Sequence, residues 1–120
     1  SGVDGVLLVC PYYNKPTQHG LFLHFEAIAN ACPKIPVILY NVPGRSGVRM
    51  EKETILKLAK IPNIVSLKDA TGSCEQLETY ISELPEDFSL LSGDDALTLE
   101  MMEKGAKGVI SVASNLYPKE

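Results

Sequence analysis

Three side chains suited to carbonyl chemistry stand at or just beyond the ends of apolar runs. Lys68 ends the run Ile64–Lys68, Tyr40 ends the run Val37–Tyr40, and Arg45 follows in the next loop. A neutral lysine amine attacks carbonyl carbon to form a Schiff base, and partial desolvation favours that neutral form. A phenol can relay the protons, and a guanidinium can hold a carboxylate with two hydrogen bonds. A lysine, a tyrosine and an arginine at these positions together indicate covalent capture of a keto acid.

Each side chain also has a purely structural interpretation. Lys68 could end a strand with its ammonium in solvent, because lysine is mostly exposed in proteins. Tyr40 could be a core aromatic with a satisfied hydroxyl group, and Arg45 could be a solvated loop residue. Position alone leaves both interpretations open, so the elements that carry the residues decide between them.

Apolar runs alternate with stretches of helical periodicity, which predicts parallel βα units. The predicted strands are Gly5–Val9, Val37–Tyr40, Ile64–Lys68, Ser89–Ser92 and Gly108–Val112. A polar loop follows each strand, and sites in parallel α/β folds lie at the strands' carboxyl ends. Because adjacent parallel strands are about 4.8 Å apart, we expect Tyr40 and Lys68 to meet there. Two-residue alternation places Ser66 on the same face as Lys68.

Helix signals follow four of the strands. Thr17 is the expected N-cap of the first helix, and the second helix is expected near residues 52–60. Ser73 and Gln76 have the spacing of a capping box for the third. An aspartate of the pair 94–95 is expected to cap the fourth, which should end near Gly105.

The composition excludes several function classes. The 120 residues are 45% hydrophobic and 22% charged with a net charge of −4, so we expect neither nucleic acid nor a membrane as partner. The three cysteines form no CxxC pair, which predicts no disulfide framework and a reducing, cytoplasmic compartment. His19 and His24 have no third ligand nearby, so we expect no metal site.

Four motifs resemble those of the dihydrodipicolinate synthase family, which belongs with N-acetylneuraminate lyase among the pyruvate-dependent class I aldolases. The motifs are PYYNKP with Tyr13, YNVPGRSG with Tyr40 and Arg45, SLKDATG with Lys68, and LLSGDD with Gly93. They occur in the family's order along nearly the whole chain. The resemblance implies the α/β fold of a (β/α)₈ TIM barrel, with these five strands as its fourth to eighth.

The resemblance also implies roles for individual residues. Lys68 matches the Schiff-base lysine, and Tyr40 matches the tyrosine that relays protons over it. Tyr13 matches a tyrosine that reaches across a tight dimer interface into the neighbouring active site. Arg45 matches the arginine that receives the carboxylate of L-aspartate 4-semialdehyde.

The implied reaction condenses pyruvate with L-aspartate 4-semialdehyde on the lysine-biosynthetic route. Gly93 and Ile110 match positions that line the pyruvate site. The family needs no metal or organic cofactor, because the protonated imine is the electron sink. Homo-oligomers built from tight dimers are common in it. Arg45 and Tyr13 favour this synthase over N-acetylneuraminate lyase and the 2-keto-3-deoxy sugar acid aldolases.

The length predicts that residues 1–120 form only part of a barrel domain. A whole barrel has eight strands and about 250 residues. The first three βα units, with the family's Gly-Thr-Thr-Gly-Glu segment, and the C-terminal helices are expected to be absent. We therefore expect a fragment that is inactive alone. A non-catalytic half-barrel that pairs with another chain is the alternative, and a flavodoxin-like anion-binding domain is disfavoured by the loop PYYNKP.

Overall fold

Five parallel strands form one sheet whose spatial order is the order of the chain. The computed structural model describes residues 2–119. The strands are Val6–Val9 (β1), Val37–Asn41 (β2), Ile64–Asp69 (β3), Ser89–Ser92 (β4) and Gly108–Val109 (β5). All five predicted strands are present, but β5 does not extend to Val112. The backbone N–H of Val112 donates to the Asp95 carboxylate at 3.1 Å and is thereby turned away from the sheet.

Helices lie between the strands, as the parallel pairing requires. The α-helices are Gln18–Ala31 (α1), Pro43–Ser46 (α2), Lys52–Leu58 (α3), Glu75–Glu78 (α4) and Thr98–Glu103 (α5). Short 3₁₀ turns cover Ile81–Glu83, Asp95–Leu97 and Ala113–Asn115. The predicted cap of α1 is confirmed, because Thr17 Oγ1 accepts a hydrogen bond from the Gly20 N–H at 3.2 Å.

The predicted capping box at Ser73 and Gln76 is wrong. Ser73 Oγ accepts from the N–H of Glu75, two residues along, and the Gln76 amide donates to the Met50 carbonyl oxygen instead. The loop after β3 has its own hydrogen bonds, so α4 begins only at Glu75 and ends after one turn. Of the two aspartates expected to cap the next helix, Asp94 is the one that does so. It caps the 3₁₀ turn Asp95–Leu97, which leads into α5, by accepting from the Ala96 N–H at 3.0 Å.

The hydrophobic core lies between the helices and one face of the sheet. Leu39 of β2 and Leu67 of β3 are fully buried there, in one cluster with Phe25 and Leu58 of the helices. On the opposite face, Val9 pairs in register with Tyr40 yet remains 37% exposed. The less covered face is the one that would line a closed barrel. None of the helices within residues 2–119 has the length and apolar character that crossing a bilayer requires.

Candidate active site

Lys68 and Tyr40 lie side by side at the carboxyl ends of β3 and β2. They are direct partners in the parallel register, so their side chains share one face of the sheet. The Lys68 Nζ lies 4.2 Å from the centroid of the Tyr40 ring. The expected meeting of the two side chains is therefore observed.

The surroundings of Lys68 exclude most of the solvent. The residue is only 8% exposed, although lysine is mostly exposed in proteins. Among the ion pairs of residues 2–119, none involves Lys68. The amine is thus buried without an ion-pair partner among these residues, and its place beside Tyr40 makes it a candidate nucleophile.

Gly93 makes room for the Lys68 side chain. Its N–H donates to the Asp69 carbonyl oxygen at 2.7 Å, which draws the loop after β4 against the end of β3. A Cβ atom at this position would lie 2.8 Å from Lys68 Cε and 3.0 Å from Ala70 Cβ. The sequence position therefore requires glycine for space rather than for backbone conformation.

Arg45 is presented by the single turn α2, directly after β2. Gly47 ends this turn with φ +70°, a left-handed conformation that glycine adopts without strain. The buried Ser46 hydroxyl lies within hydrogen-bond distance of the carbonyl oxygens of Val42 and Val48. Arg45 itself is exposed, so its guanidinium is free to meet a solute.

An open cleft of about 510 Å³ brings these residues together. Its lining is formed by Tyr40, Val42, Gly44, Arg45, Lys68, Ala70, Gly93, Asp94 and Val112. The other two predicted site residues, Tyr13 and Ile110, do not line this cleft. Tyr13 is 90% exposed outside the cleft, and Ile110 is half-buried with its N–H donating to the Ser92 carbonyl oxygen. Within this chain, the cleft therefore assembles Lys68, Tyr40, Arg45 and Gly93.

A buried carboxylate behind Lys68 was not anticipated from the sequence. Asp69 is 4% exposed and accepts hydrogen bonds from the N–H and hydroxyl of Thr71 and from the Tyr80 hydroxyl. Burial raises the pKa of Asp69, and the bonds from Thr71 oppose that rise. The Asp-x-Thr spacing could have indicated the local turn. No local signal identifies Tyr80, because it is eleven residues away.

No metal centre is apparent in the part of the chain that the structure describes. Among residues 2–119, no three His, Cys, Asp or Glu side chains are grouped as metal ligands. The three cysteines are free thiols. Burial raises the pKa of Cys10 to about 11, which disfavours its reactive thiolate form.

The fold is that of an α/β-barrel protein, and its cleft contains a buried lysine. A sequence model described as the dihydrodipicolinate synthetase family matches residues 1–120, and the chain belongs to that family. The 4-hydroxy-tetrahydrodipicolinate synthase of Koribacter versatilis is 56% identical over 119 residues. That match covers 99% of this chain and 39% of the relative.

Solved structures agree with this assignment. The crystal structure of dihydrodipicolinate synthase from Aquifex aeolicus matches with a TM-score of 0.94 and 50% identity, over 98% of this chain and 40% of that one. The enzyme from Acinetobacter baumannii, complexed with pyruvate, matches with a TM-score of 0.92 and 52% identity, over the same shares. The chain is thus a sector of the TIM barrel and spans about two-fifths of its relatives' length.

Proposed function

We propose that Lys68 is the Schiff-base lysine of a 4-hydroxy-tetrahydrodipicolinate synthase, which condenses pyruvate with L-aspartate 4-semialdehyde. The observation that carries the proposal is the position of the Lys68 amine, buried and 4.2 Å from the centre of the Tyr40 ring. The same cleft contains Arg45, a cation for a substrate carboxylate. The activity belongs to the complete barrel, because this sector spans only part of it.

The chemistry begins when the neutral Lys68 amine attacks the C2 carbonyl of pyruvate. The resulting carbinolamine loses water and becomes a protonated imine, which withdraws electrons from C3. Loss of a C3 proton gives an enamine, and its C3 attacks the aldehyde carbon of the semialdehyde. Tyr40 relays the protons of carbinolamine formation and dehydration. Attack by the semialdehyde's own amine on C2 then closes the ring and releases Lys68.

The cleft offers a place for each substrate. Gly93 keeps the space beside Lys68 open, as a small keto acid bound to the amine requires. Ile110 completes this wall in the closed barrel, and Arg45 receives the carboxylate of the semialdehyde. That the Acinetobacter baumannii enzyme was crystallised with pyruvate supports pyruvate as the first substrate. No metal or organic cofactor takes part.

Tyr13 acts outside its own cleft in this proposal. It is 90% exposed and follows β1, which is an edge strand of this sector. A tyrosine so exposed is suited to burial in another subunit, where its hydroxyl would extend the proton relay. The working enzyme is accordingly a cytoplasmic homo-oligomer built from tight dimers.

Reductive trapping tests the proposal. The full-length barrel that carries this sequence is incubated with pyruvate and borohydride, and its peptides are analysed by mass spectrometry. We expect a reduced pyruvyl group on Lys68, lost in Lys68→Arg and retained in Lys60→Arg, a matched exposed control. Labelling at another lysine, or labelling that persists in Lys68→Arg, would refute the assignment.

A further inference from the structure

Three side-chain amides converge on the segment Arg49–Glu51, which has no regular secondary structure. The central one is Asn41, the last residue of β2, which is fully buried. Its Nδ2 donates to the Met50 carbonyl oxygen and its Oδ1 accepts from the Met50 N–H, both at 3.0 Å. One side chain thus satisfies both backbone groups of a residue nine positions away.

Two glutamines hold the same segment from other βα units. Gln18, at the start of α1, donates to the Arg49 carbonyl oxygen at 2.7 Å and accepts from the Glu51 N–H at 3.0 Å. Gln76 of α4 donates to the Met50 carbonyl oxygen at 3.0 Å. We call Asn41, Gln18 and Gln76 the amide clamp.

The clamp closes the loop that carries Arg45. The chain leaves β2 at Asn41 and is brought back to the same residue at Met50, so the loop between them has fixed ends. Buried backbone groups without a ladder partner need side-chain partners, and the amides supply them. The loop has its own bonds at Ser46, but the clamp fixes its position relative to the sheet and hence to Lys68.

We propose that the amide clamp positions Arg45 and so determines the affinity for the carboxylate-bearing aldehyde. This inference rests on the proposed function and deepens it. None of its three members lines the cleft, so they act on a bound substrate through Arg45. Disturbing the clamp should weaken binding of the second substrate while leaving capture of pyruvate by Lys68 intact, because Lys68 and Tyr40 are fixed by the sheet itself.

Asn41→Asp is the most selective single change, because it removes the amide donor of Asn41 and keeps the acceptor. The carboxylate still accepts from the Met50 N–H, but it loses the donor and faces the Met50 carbonyl oxygen. In the full-length barrel we expect the KM for the semialdehyde to rise about tenfold, because a displaced binding group loses most of its orientation. The KM for pyruvate and the borohydride labelling of Lys68 should change less than twofold.

Gln18→Leu provides a second variant in case Asn41→Asp does not fold. Gln18 is half-buried near the start of α1, so this change removes part of the clamp without placing a charge in the core. Asn63→Ala is the matched control. Its amide donates to three backbone carbonyl oxygens, those of Ala29, Cys32 and Ile35, before β3 at the opposite end of the sheet. Asn63→Ala should lower stability and leave both KM values unchanged.

A double-mutant cycle shows whether the clamp acts through Arg45. In the Arg45→Ala background, Gln18→Leu and Asn41→Asp should cause no further rise in the KM for the semialdehyde. Additive effects in that background, or an equal rise in both KM values, would overturn the inference. Failure of the proposed function is distinguishable, because the unmodified barrel would then show no pyruvyl label on Lys68.

Discussion

Gly93, which has no side chain, leaves the space that the Lys68 side chain occupies. A Cβ at position 93 would lie 2.8 Å from Lys68 Cε, and the Asp69 carbonyl oxygen and Ala70 Cβ would be within 3.1 Å. Of these neighbours only the lysine side chain can swing aside easily, since the others belong to the backbone or are anchored to it. A methyl group there would therefore displace the lysine before it disturbs the fold.

Gly93→Ala should lower activity more than stability. We expect kcat to fall about 100-fold, because the Lys68 amine would leave the position that the proposed reaction requires. The free energy of unfolding should fall by about 1 kcal/mol, the lower end of the cost of overpacking, because the flexible Lys68 side chain gives way first. Steady-state kinetics and urea denaturation of the full-length barrel measure the two. Gly108→Ala is the control, since its Cβ would meet only Leu91 Cδ2 at 3.8 Å. Unchanged kcat in Gly93→Ala would contradict this account.

The buried Asp69 carboxyl should make stability fall with rising pH. Burial raises its pKa above the ordinary 3.8, so above that value the folded state binds more protons than the unfolded state. The contribution of the Asp69 carboxyl to the free energy of unfolding is therefore complete below pH 3.8. It is lost as the pH rises through the pKa that Asp69 has in the folded state. Asp69→Asn removes this titration while an amide oxygen can still accept from Thr71.

Urea denaturation across this pH window measures the effect. The stability of Asp69→Asn relative to the parent should increase as the pH rises. Asp87→Asn, which removes an exposed carboxylate, is the charge-matched control. A relative stability that falls with pH would show that the Asp69 pKa is lowered by its hydrogen bonds rather than raised by burial.

For the secondary-structure elements, the sequence predicted the features that depend on neighbouring residues. It missed those that depend on contacts between distant parts of the chain. Strand periodicity located all five strands, and the Thr17 cap signal located α1. The capping box at Ser73 failed because the loop after β3 is organised by Asp69, on the strand. The amide clamp was not foreseen, because Gln18 and Asn41 meet their backbone partners 31 and nine residues away. Such pairs follow from tertiary packing and leave no local pattern.

The N-cap of α1 should contribute measurably to stability. Thr17 Oγ1 accepts from the Gly20 N–H, one of the otherwise unpaired donors of the first turn. Thr17→Ala should lower the free energy of unfolding by about 1 kcal/mol, measured by urea denaturation. Thr17→Ser keeps the hydroxyl oxygen, so its free energy of unfolding should fall much less than that of Thr17→Ala. Equal losses in the two variants would mean that the methyl group, rather than the cap, stabilises the helix.

At the scale of the whole molecule, the sector leaves part of its sheet uncovered. Leu7 and Val9 of the edge strand β1 are 42% and 37% exposed on the face that carries Tyr40. They line an open cavity of about 360 Å³ beside the cleft, together with Tyr12 and Arg45. In a closed barrel this face is interior, so the sector on its own exposes apolar surface and strand edges.

The isolated 120-residue chain should therefore self-associate and lack synthase activity. Sedimentation velocity should show concentration-dependent assembly, and Leu7→Lys combined with Val9→Lys should reduce it. Leu99→Lys with Met102→Lys, two exposed positions of α5, is the matched control for added charge. A monodisperse, catalytically active monomer would contradict the view that the barrel must be complete.

The most direct measurement is a crystal structure of the full-length barrel with bound pyruvate. We expect continuous electron density from the Lys68 Nζ to pyruvate C2, beside the Tyr40 ring and within the cleft that contains Gly93 and Arg45. Pyruvate bound elsewhere, with a free Lys68 amine at saturating ligand, would show that this amine does not capture the keto acid.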